Sequence, residues 1–321
     1  MALPGGAITT QVAGFFGQAT LGGIHHEDLT DLVTILDSFQ TPFFSSAPKT
    51  RCTDVVHSWT VDTLVATSTA GVLEGDDFNA AGTGAALTAP TRLWNVCSIL
   101  RRDVVVSDRE RDANPAGIRD MYEHQIMKEF KVLARNFESL MFSTGATATN
   151  TGAAAQAPLS FGFRGFGITI SGSASAGVTT ADIVSLSQTL FQNGAEPDSL
   201  WFAPASKRQF VNATISSGSG NVRNIAATDQ RLVANIDVFE TPFNQLYAVI
   251  TDRFIPISTN SASGAYFIGD RAMAKVAFFR PPQHKPMGKG GDHTRGIVLM
   301  DATLQLDHPS SWAAITGVTN G

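Results

Sequence analysis

The run Glu74-Gly75-Asp76-Asp77 is the densest carboxylate cluster of the chain. Carboxylates at such close spacing could ligate calcium or work as an acid and base pair. A calcium loop of the EF-hand type places oxygen ligands at alternating positions over about twelve residues, and Phe78, Ala80 and Ala81 interrupt that pattern. A charged tip that meets basic residues of a neighbouring chain is the better reading. His284, Asp292 and His293 carry metal-ligating atoms, but ligands must be held rigidly and these lie in a Gly-rich stretch. Gly288-Lys289-Gly290-Gly291 lacks the spacing and the Lys-Ser/Thr pair that put a lysine on a nucleotide's phosphates. Cys52 and Cys97 are too few for a disulfide framework or a cysteine zinc site. They could face each other across the feet of two strands, but a reducing compartment argues against a bond between them. His25-His26 contributes to the first turn of a helix, and no Ser or Cys sits in a nucleophile-elbow motif. No catalytic residue, metal site or cofactor is assigned, and the expectation is a protein that is not an enzyme.

Composition limits the classes further. Of 321 residues 43% are hydrophobic, which excludes a disordered chain, while charged residues make up 16% against roughly 25% in an average domain. The net charge of −5 and the lack of any basic run longer than Arg101-Arg102 argue against a dedicated nucleic-acid binder. No stretch reaches the length of apolar residues that a membrane-spanning helix needs, and Met1 to Gln11 shows no secretory pattern. Arg outnumbers Lys by 16 to 7, as at protein interfaces, although a G+C-rich genome would produce the same bias.

These residues must be positioned by a series of distinct elements. Asp28, Leu29, Leu32, Val33, Ile35 and Leu36 give a short amphipathic helix that Thr41-Pro42 ends, with Phe43 and Phe44 following as anchors. Alternating apolar residues predict strands over Asp54–Val65, with Trp59 on the apolar face, and over Leu93–Val106. Together they read as a long hairpin with a broad Ala/Gly/Thr-rich tip. Isolated hairpins are marginal in water, so the arm must pack on a partner. Asn114 as cap and Pro115 at the first position predict a helix through Phe142, with Arg119–Glu123 and Arg135–Glu138 spaced as surface ion pairs. A Gly/Ala/Ser/Thr-rich boundary follows, and then a capping box at Thr179 and Asp182 opens a helix closed by Asn193-Gly194. Ser199–Phe202, a helix from Pro204, and strands at Val233–Phe239, Leu246–Ile250 and Ala265–Ile268 complete a compact α/β unit. Strands at Met273–Phe279, Gly296–Leu306 and Trp312–Val318 then form a sheet along the long helix, with a basic loop from Pro281-Pro282 to Gly291 holding Lys285 and Lys289.

This order of arm, hairpin, long helix, inserted α/β unit and return sheet resembles the Hong Kong 97 type major capsid protein of tailed bacteriophages. Local text carries the resemblance too: Glu27-Asp28-Leu29-Thr30-Asp31-Leu32, Thr41-Pro42-Phe43-Phe44-Ser45-Ser46, His57-Ser58-Trp59, Glu74-Gly75-Asp76-Asp77, the Asn95 strand, and Gly291-Asp292 leading into Gly296–Asp307. It implies an α+β fold with residues 1–51 as N-terminal arm and 52–106 as extended loop. Residues 107–165 and 265–321 would form a peripheral domain with spine helix 114–142, and 166–264 an axial domain.

The implied function is shell building: hexamers and pentamers of the chain close into an icosahedral head around double-stranded DNA. The implied partners are the chain itself, a scaffolding protein, a portal, possible decoration proteins and packaged DNA without sequence preference, with no membrane. The implied place is the virion, assembled in the host cytoplasm. Contacts between subunits are expected at Glu74, Asp76 and Asp77 in the tip, at Arg101, Arg102, Lys285 and Lys289 as their partners, and at Trp59, Phe43 and Phe44. An encapsulin-like compartment of the same fold and a phage tail or carbohydrate-binding protein are the alternatives.

Overall fold

The computed structural model of the protein describes residues 40–64, 74–75, 89–113, 118–143, 157–172, 179–216, 225–226, 231–232, 236–255 and 266–316. The amphipathic segment before Phe39, His25-His26, most of the hairpin tip with Asp76 and Asp77, and Asn114-Pro115 lie outside the described residues.

Along the chain run α1 (Pro42–Ser46), β1 (Lys49–Arg51), β2 (Val56–Val61), β3 (Thr91–Val96), β4 (Ser98–Ser107), α2 (Asp108–Asp112) and α3 (Met121–Phe142). Then come β5 (Thr169–Gly172), α4 (Thr180–Gln192), β6 (Ser199–Phe202), α5 (Pro204–Ser216), β7 (Ile225–Ala226), β8 (Arg231–Leu232), β9 (Val238–Glu240) and β10 (Leu246–Thr251). β11 (Tyr266–Gly269), β12 (Ala274–Met287), β13 (His293–Leu306) and β14 (Trp312–Thr316) finish the described chain.

Two sheets carry the architecture. A four-stranded sheet has the order β1-β12-β13-β4 and is crossed by α3; a six-stranded sheet has the order β5-β14-β11-β6-β10-β9. The first core lies where α3 meets both sheets, with Leu133, Phe137 and Phe142 against Val104, Met300, Leu304, Trp201, Phe267 and Trp312. A second core lies on the far face of the six-stranded sheet, where Ile183, Leu186 and Leu190 of α4 and Phe210 of α5 cover Leu200, Phe202, Tyr247 and Tyr266. A sheet covered on both faces selects continuous apolar runs rather than alternation. β6 is accordingly buried at every position, with Trp201 on one face and Leu200 and Phe202 on the other. Gly269 faces Trp312 across β11 and β14, and a Cβ there would meet indole carbon Cδ2 at 2.1 Å.

Several expectations are corrected by this arrangement. The spine helix begins at Met121, because Asp120 accepts from the backbone N–H groups of Tyr122 at 2.8 Å and Glu123 at 3.4 Å. Arg119 therefore precedes the helix, and its ion-pair spacing with Glu123 does not exist on a helical surface. The run Leu93–Val106 is two strands: β3 pairs β2 in the hairpin, whereas β4, past a break at Cys97, pairs β13 in the four-stranded sheet. Trp312–Thr316 joins the six-stranded sheet beside β11, not the sheet along α3. Pro281-Pro282 does not open a loop; β12 continues through it, with register shifts around Arg280 and Gln283 where prolines can be tolerated. Lys285 consequently lies in a strand opposite Ile297, and the connecting turn is confined to residues 288–292.

Candidate functional site

The candidate site is formed by the residues that fasten α1 and the base of the β2–β3 hairpin to the body of the molecule. The first root is α1. Proline at the first helical turn suits a position whose N–H would be unpaired anyway. The next two amides end on one carboxylate: Phe43 N donates to Glu138 Oε1 and Phe44 N to Glu138 Oε2, both at 2.7 Å. Phe43 is 1% exposed, with its ring 5.6 Å from Phe142, 5.1 Å from Phe163, 5.9 Å from Trp201 and 6.5 Å from Trp312. Phe44 packs on Phe137 at 5.5 Å and Phe278 at 6.1 Å. Lys49 Nζ closes the far end of α1 by donating to the carbonyls of Phe44, Ser45 and Ala47 at 2.7, 3.2 and 3.0 Å.

Glu138 is fully buried on α3 and is not the surface partner of Arg135, whose guanidinium lies over the Phe254 ring at 5.4 Å. Burial first, and then the neighbouring Asp252 carboxyl, pushes Glu138 up to about 8, against the pull of the two amides. Burial also raises Asp252, whose Oδ1 accepts from Phe254 N at 2.8 Å while its Oδ2 is buried without a donor. Two carboxyls in one dry site favour holding a proton between them.

The second root is the base of the β2–β3 hairpin. Asn95 is 0% exposed; its Nδ2 donates to Leu304 O at 2.7 Å and Phe161 O at 3.2 Å, and its Oδ1 accepts from Phe161 N at 2.8 Å and Val96 N at 2.9 Å. Trp59 Nε1 donates to Leu306 O at 2.9 Å, its ring lies 5.7 Å from Phe166, and His57 Nε2 stands 2.8 Å from Gln305 Oε1. Ser160 ties the same corner through Ser98 Oγ at 2.6 Å and Thr303 Oγ1 at 2.9 Å. Cys52 and Cys97 face each other here as free thiols, Sγ to Sγ 3.7 Å. Asp62, Thr63 and Leu64 are exposed, Leu64 at 99%, and Trp94 on β3 also presents apolar surface.

Most sequence-nominated contact residues turn out to have partners within the chain. Phe43, Phe44 and Trp59 are internal anchors of the two roots rather than free surface. Arg102 pairs with Glu129 at 2.8 Å, and Lys289 with Asp108 at 2.6 Å. Arg101 meets Asp103 at 3.1 Å with both side chains more than half exposed, and such a pair is easily exchanged. Lys285 is exposed on β12, and Glu74 is exposed in a turn where Gly75 takes φ +83°. The structure does not bring Glu74 to these cations within one chain. No group of three His, Cys, Asp or Glu side chains with metal-binding placement exists among the described residues, and His284 instead lies 2.9 Å from the Tyr122 hydroxyl.

Asp252 carries no signal in the sequence, and helix spacing assigns Glu138 to the surface although it is buried. The available signal was a lone acid set between Phe137 and Met141 on the apolar face of α3, and the Phe43-Phe44 amides that meet it lie far away in sequence.

Residues 8–319 match the family described as SU10 major capsid protein. A curated relative, the major capsid protein of Escherichia phage Phieco32, is 21% identical and aligned over 86% of this chain and 90% of its own. Among solved structures, the capsid of a native GTA particle superposes with a TM-score of 0.60 at 16% identity, covering 98% of this chain and 100% of that one. The SrpI encapsulin of Synechococcus elongatus PCC 7942 gives 0.60 at 12% identity, covering 91% and 93%.

Proposed function

We propose, on the premise that the chain belongs to the SU10 major capsid protein family, that its two rooted extensions are what join one subunit to the next. The protein is a major capsid protein of a tailed phage, a component of the virion that self-assembles into a capsid, and its fold is of the Hong Kong 97 type. Its work is structural and involves no catalysis. Hexamers and pentamers close into an icosahedral head that encloses double-stranded DNA, after assembly in the host cytoplasm with scaffolding protein and a portal; decoration proteins can bind the finished surface. The β2–β3 hairpin acts as the extended loop and the chain before α1 as the arm; the six-stranded sheet with α4 and α5 acts as the axial domain, and the four-stranded sheet with α3 as the peripheral domain.

The observation that carries this reading is the hairpin, fastened at its base to its own chain while Leu64, at the end of its described part, and Trp94 on β3 leave apolar surface exposed. A two-stranded hairpin does not hold itself up in water, so its outer part is stabilised by a neighbour. The hairpin lies over the body of an adjacent subunit and the arm clasps another. The acidic tip, Glu74, Asp76 and Asp77, pairs there with Arg101 and Lys285, the two nominated cations whose side chains are open to exchange. The family match leaves the tail or carbohydrate-binding alternative without support.

Electron microscopy and nucleic-acid content of particles from expressed and phage-derived protein test the reading. Closed shells of hexamers and pentamers are expected, holding DNA in the phage; a monomer at every concentration in sedimentation overturns it, and DNA-free phage-derived shells would instead favour an encapsulin-like compartment. The triple change Glu74→Gln, Asp76→Asn, Asp77→Asn should lower shell yield severalfold without altering the melting of dissociated subunits. Wild-type yield would remove the acidic tip from the mechanism.

A further inference from the structure

Cys52 and Cys97 occupy the two feet of the hairpin. Cys52 is the first residue past β1 and its N–H donates to Phe278 O on β12 at 2.8 Å; Cys97 lies between β3 and β4 and its N–H donates to Val55 O at 2.9 Å. Both backbones are thus held by hydrogen bonds while the thiols meet 3.7 Å apart, against Ala277 and Phe279. Each residue is 2% exposed, which shelters the pair from bulky reagents. No bond joins them in the structure. A virion leaves the cell interior, and virion surfaces are among the places where disulfides form and persist.

We propose that Cys52–Cys97 is an oxidation-formed staple: a small peroxide converts the pair to a disulfide after the virion leaves the host, closing a covalent ring around the extended hairpin. The sulfur of Cys97, as thiolate, attacks one peroxide oxygen; the O–O bond breaks, and the departing hydroxide takes up the proton that Cys97 released, forming water. Cys52 sulfur then attacks the resulting sulfenic sulfur; the S–O bond breaks, the S–S bond forms, and the Cys52 proton leaves with the hydroxyl as a second water. Two thiols give up two electrons to one peroxide, and nothing else is consumed. Cys97 suits the attacking role: the adjoining Cys52 thiol holds it below the ordinary thiol value, against burial and the nearby Asp301 and Asp54 carboxylates, while Cys52 is raised. The neighbouring second thiol also intercepts the sulfenic acid before further oxidation.

The staple would matter because the two feet are unequally held. β1 pairs with β12 over Lys49–Arg51, whereas β4 pairs with β13 along Ser98–Ser107. A bond from the end of the short strand to the start of the long one would tie the weaker foot to the stronger.

The test uses wild-type particles with and without hydrogen peroxide. Each sample is denatured in a thiol-alkylating reagent, digested without reductant and analysed by mass spectrometry, and its thermal rupture is followed in parallel. The expected result is a peptide joining positions 52 and 97, lighter than its two components by two hydrogens, accumulating with peroxide and reversed by dithiothreitol. Rupture should shift upward by several degrees in the oxidised sample, and Cys97→Ala particles should show neither change. Recovery of both residues as alkylated thiols or as sulfinic acid, with no joined peptide, overturns the proposal. So does a joined peptide whose formation leaves rupture unmoved, since the bond would then hold nothing.

Discussion

At the arm root, one phenylalanine sits among four aromatic rings, and two backbone amides end on a single buried carboxylate. At the hairpin base the fastening is a row of hydrogen bonds from Asn95, Trp59 and His57 to the end of β13 and to Phe161. Apolar burial is insensitive to orientation and tied to the main core, so the arm root should hold or fail with the whole subunit. Hydrogen bonds specify register and direction at a modest net gain each, so the hairpin base can set where the hairpin points and still release without global unfolding.

The largest effect expected from this contrast is at the arm root. Phe43→Ala should destabilise the subunit by about 3–5 kcal/mol, because the ring is buried where both sheets and α3 meet. Denaturant unfolding of dissociated subunits would read it. A change under about 1 kcal/mol would break the contrast by showing the root to be peripheral. Next comes Asn95→Asp, which replaces a donor facing two carbonyls with a carboxylate facing them, at a cost of about 3 kcal/mol. Hydrogen exchange should rise in β2 and β3 while the two cores keep their protection; uniform loss across the molecule would show that the hairpin base is core after all. A third expected effect is a pH slope. Glu138 binds its proton more tightly folded than unfolded, so its contribution to stability is whole below the ordinary carboxyl value of 4.5 and is lost as pH rises through about 8. Subunit melting should therefore fall between pH 5 and pH 9 by more in wild type than in Glu138→Gln. Identical slopes would mean that the carboxyl pair is solvated and the root is not dry.

Local chemistry made much of the fold legible. The capping box at Thr179 and Asp182, the Asn193-Gly194 stop and the strand Ser199–Phe202 were all readable because each is decided by neighbours in sequence. The body of α3 was readable from its apolar spacing, but its start was not, since Asn114-Pro115 offered a good cap and Asp120 a better-used one. The break at Cys97 was invisible because alternation continues through it; what changes there is the pairing partner, from β2 to β13. The placement of Trp312–Thr316 was hidden for the same reason, since a buried strand's pattern does not name its sheet. Of the candidate site, Phe43 and Phe44 read as anchors and all three of Phe43, Phe44 and Trp59 as contacts to a neighbour, whereas a monomer's own long-range contacts account for them. Glu138 was taken for a surface charge because helix spacing reports nothing about amides almost a hundred positions away.

β3 runs into β4 with one residue between them, which makes the hairpin and the sheet a single mechanical line. A pull along that leg loads the hydrogen bonds between β4 and β13 in shear, all of them together, along the length Ser98–Ser107. The other leg reaches β1 through the bend after Cys52, so a pull there peels the short ladder of Lys49–Arg51 from β12 one bond at a time. Load on the hairpin therefore falls unequally on the two ladders that continue its legs, a long one at β4 and a short one at β1.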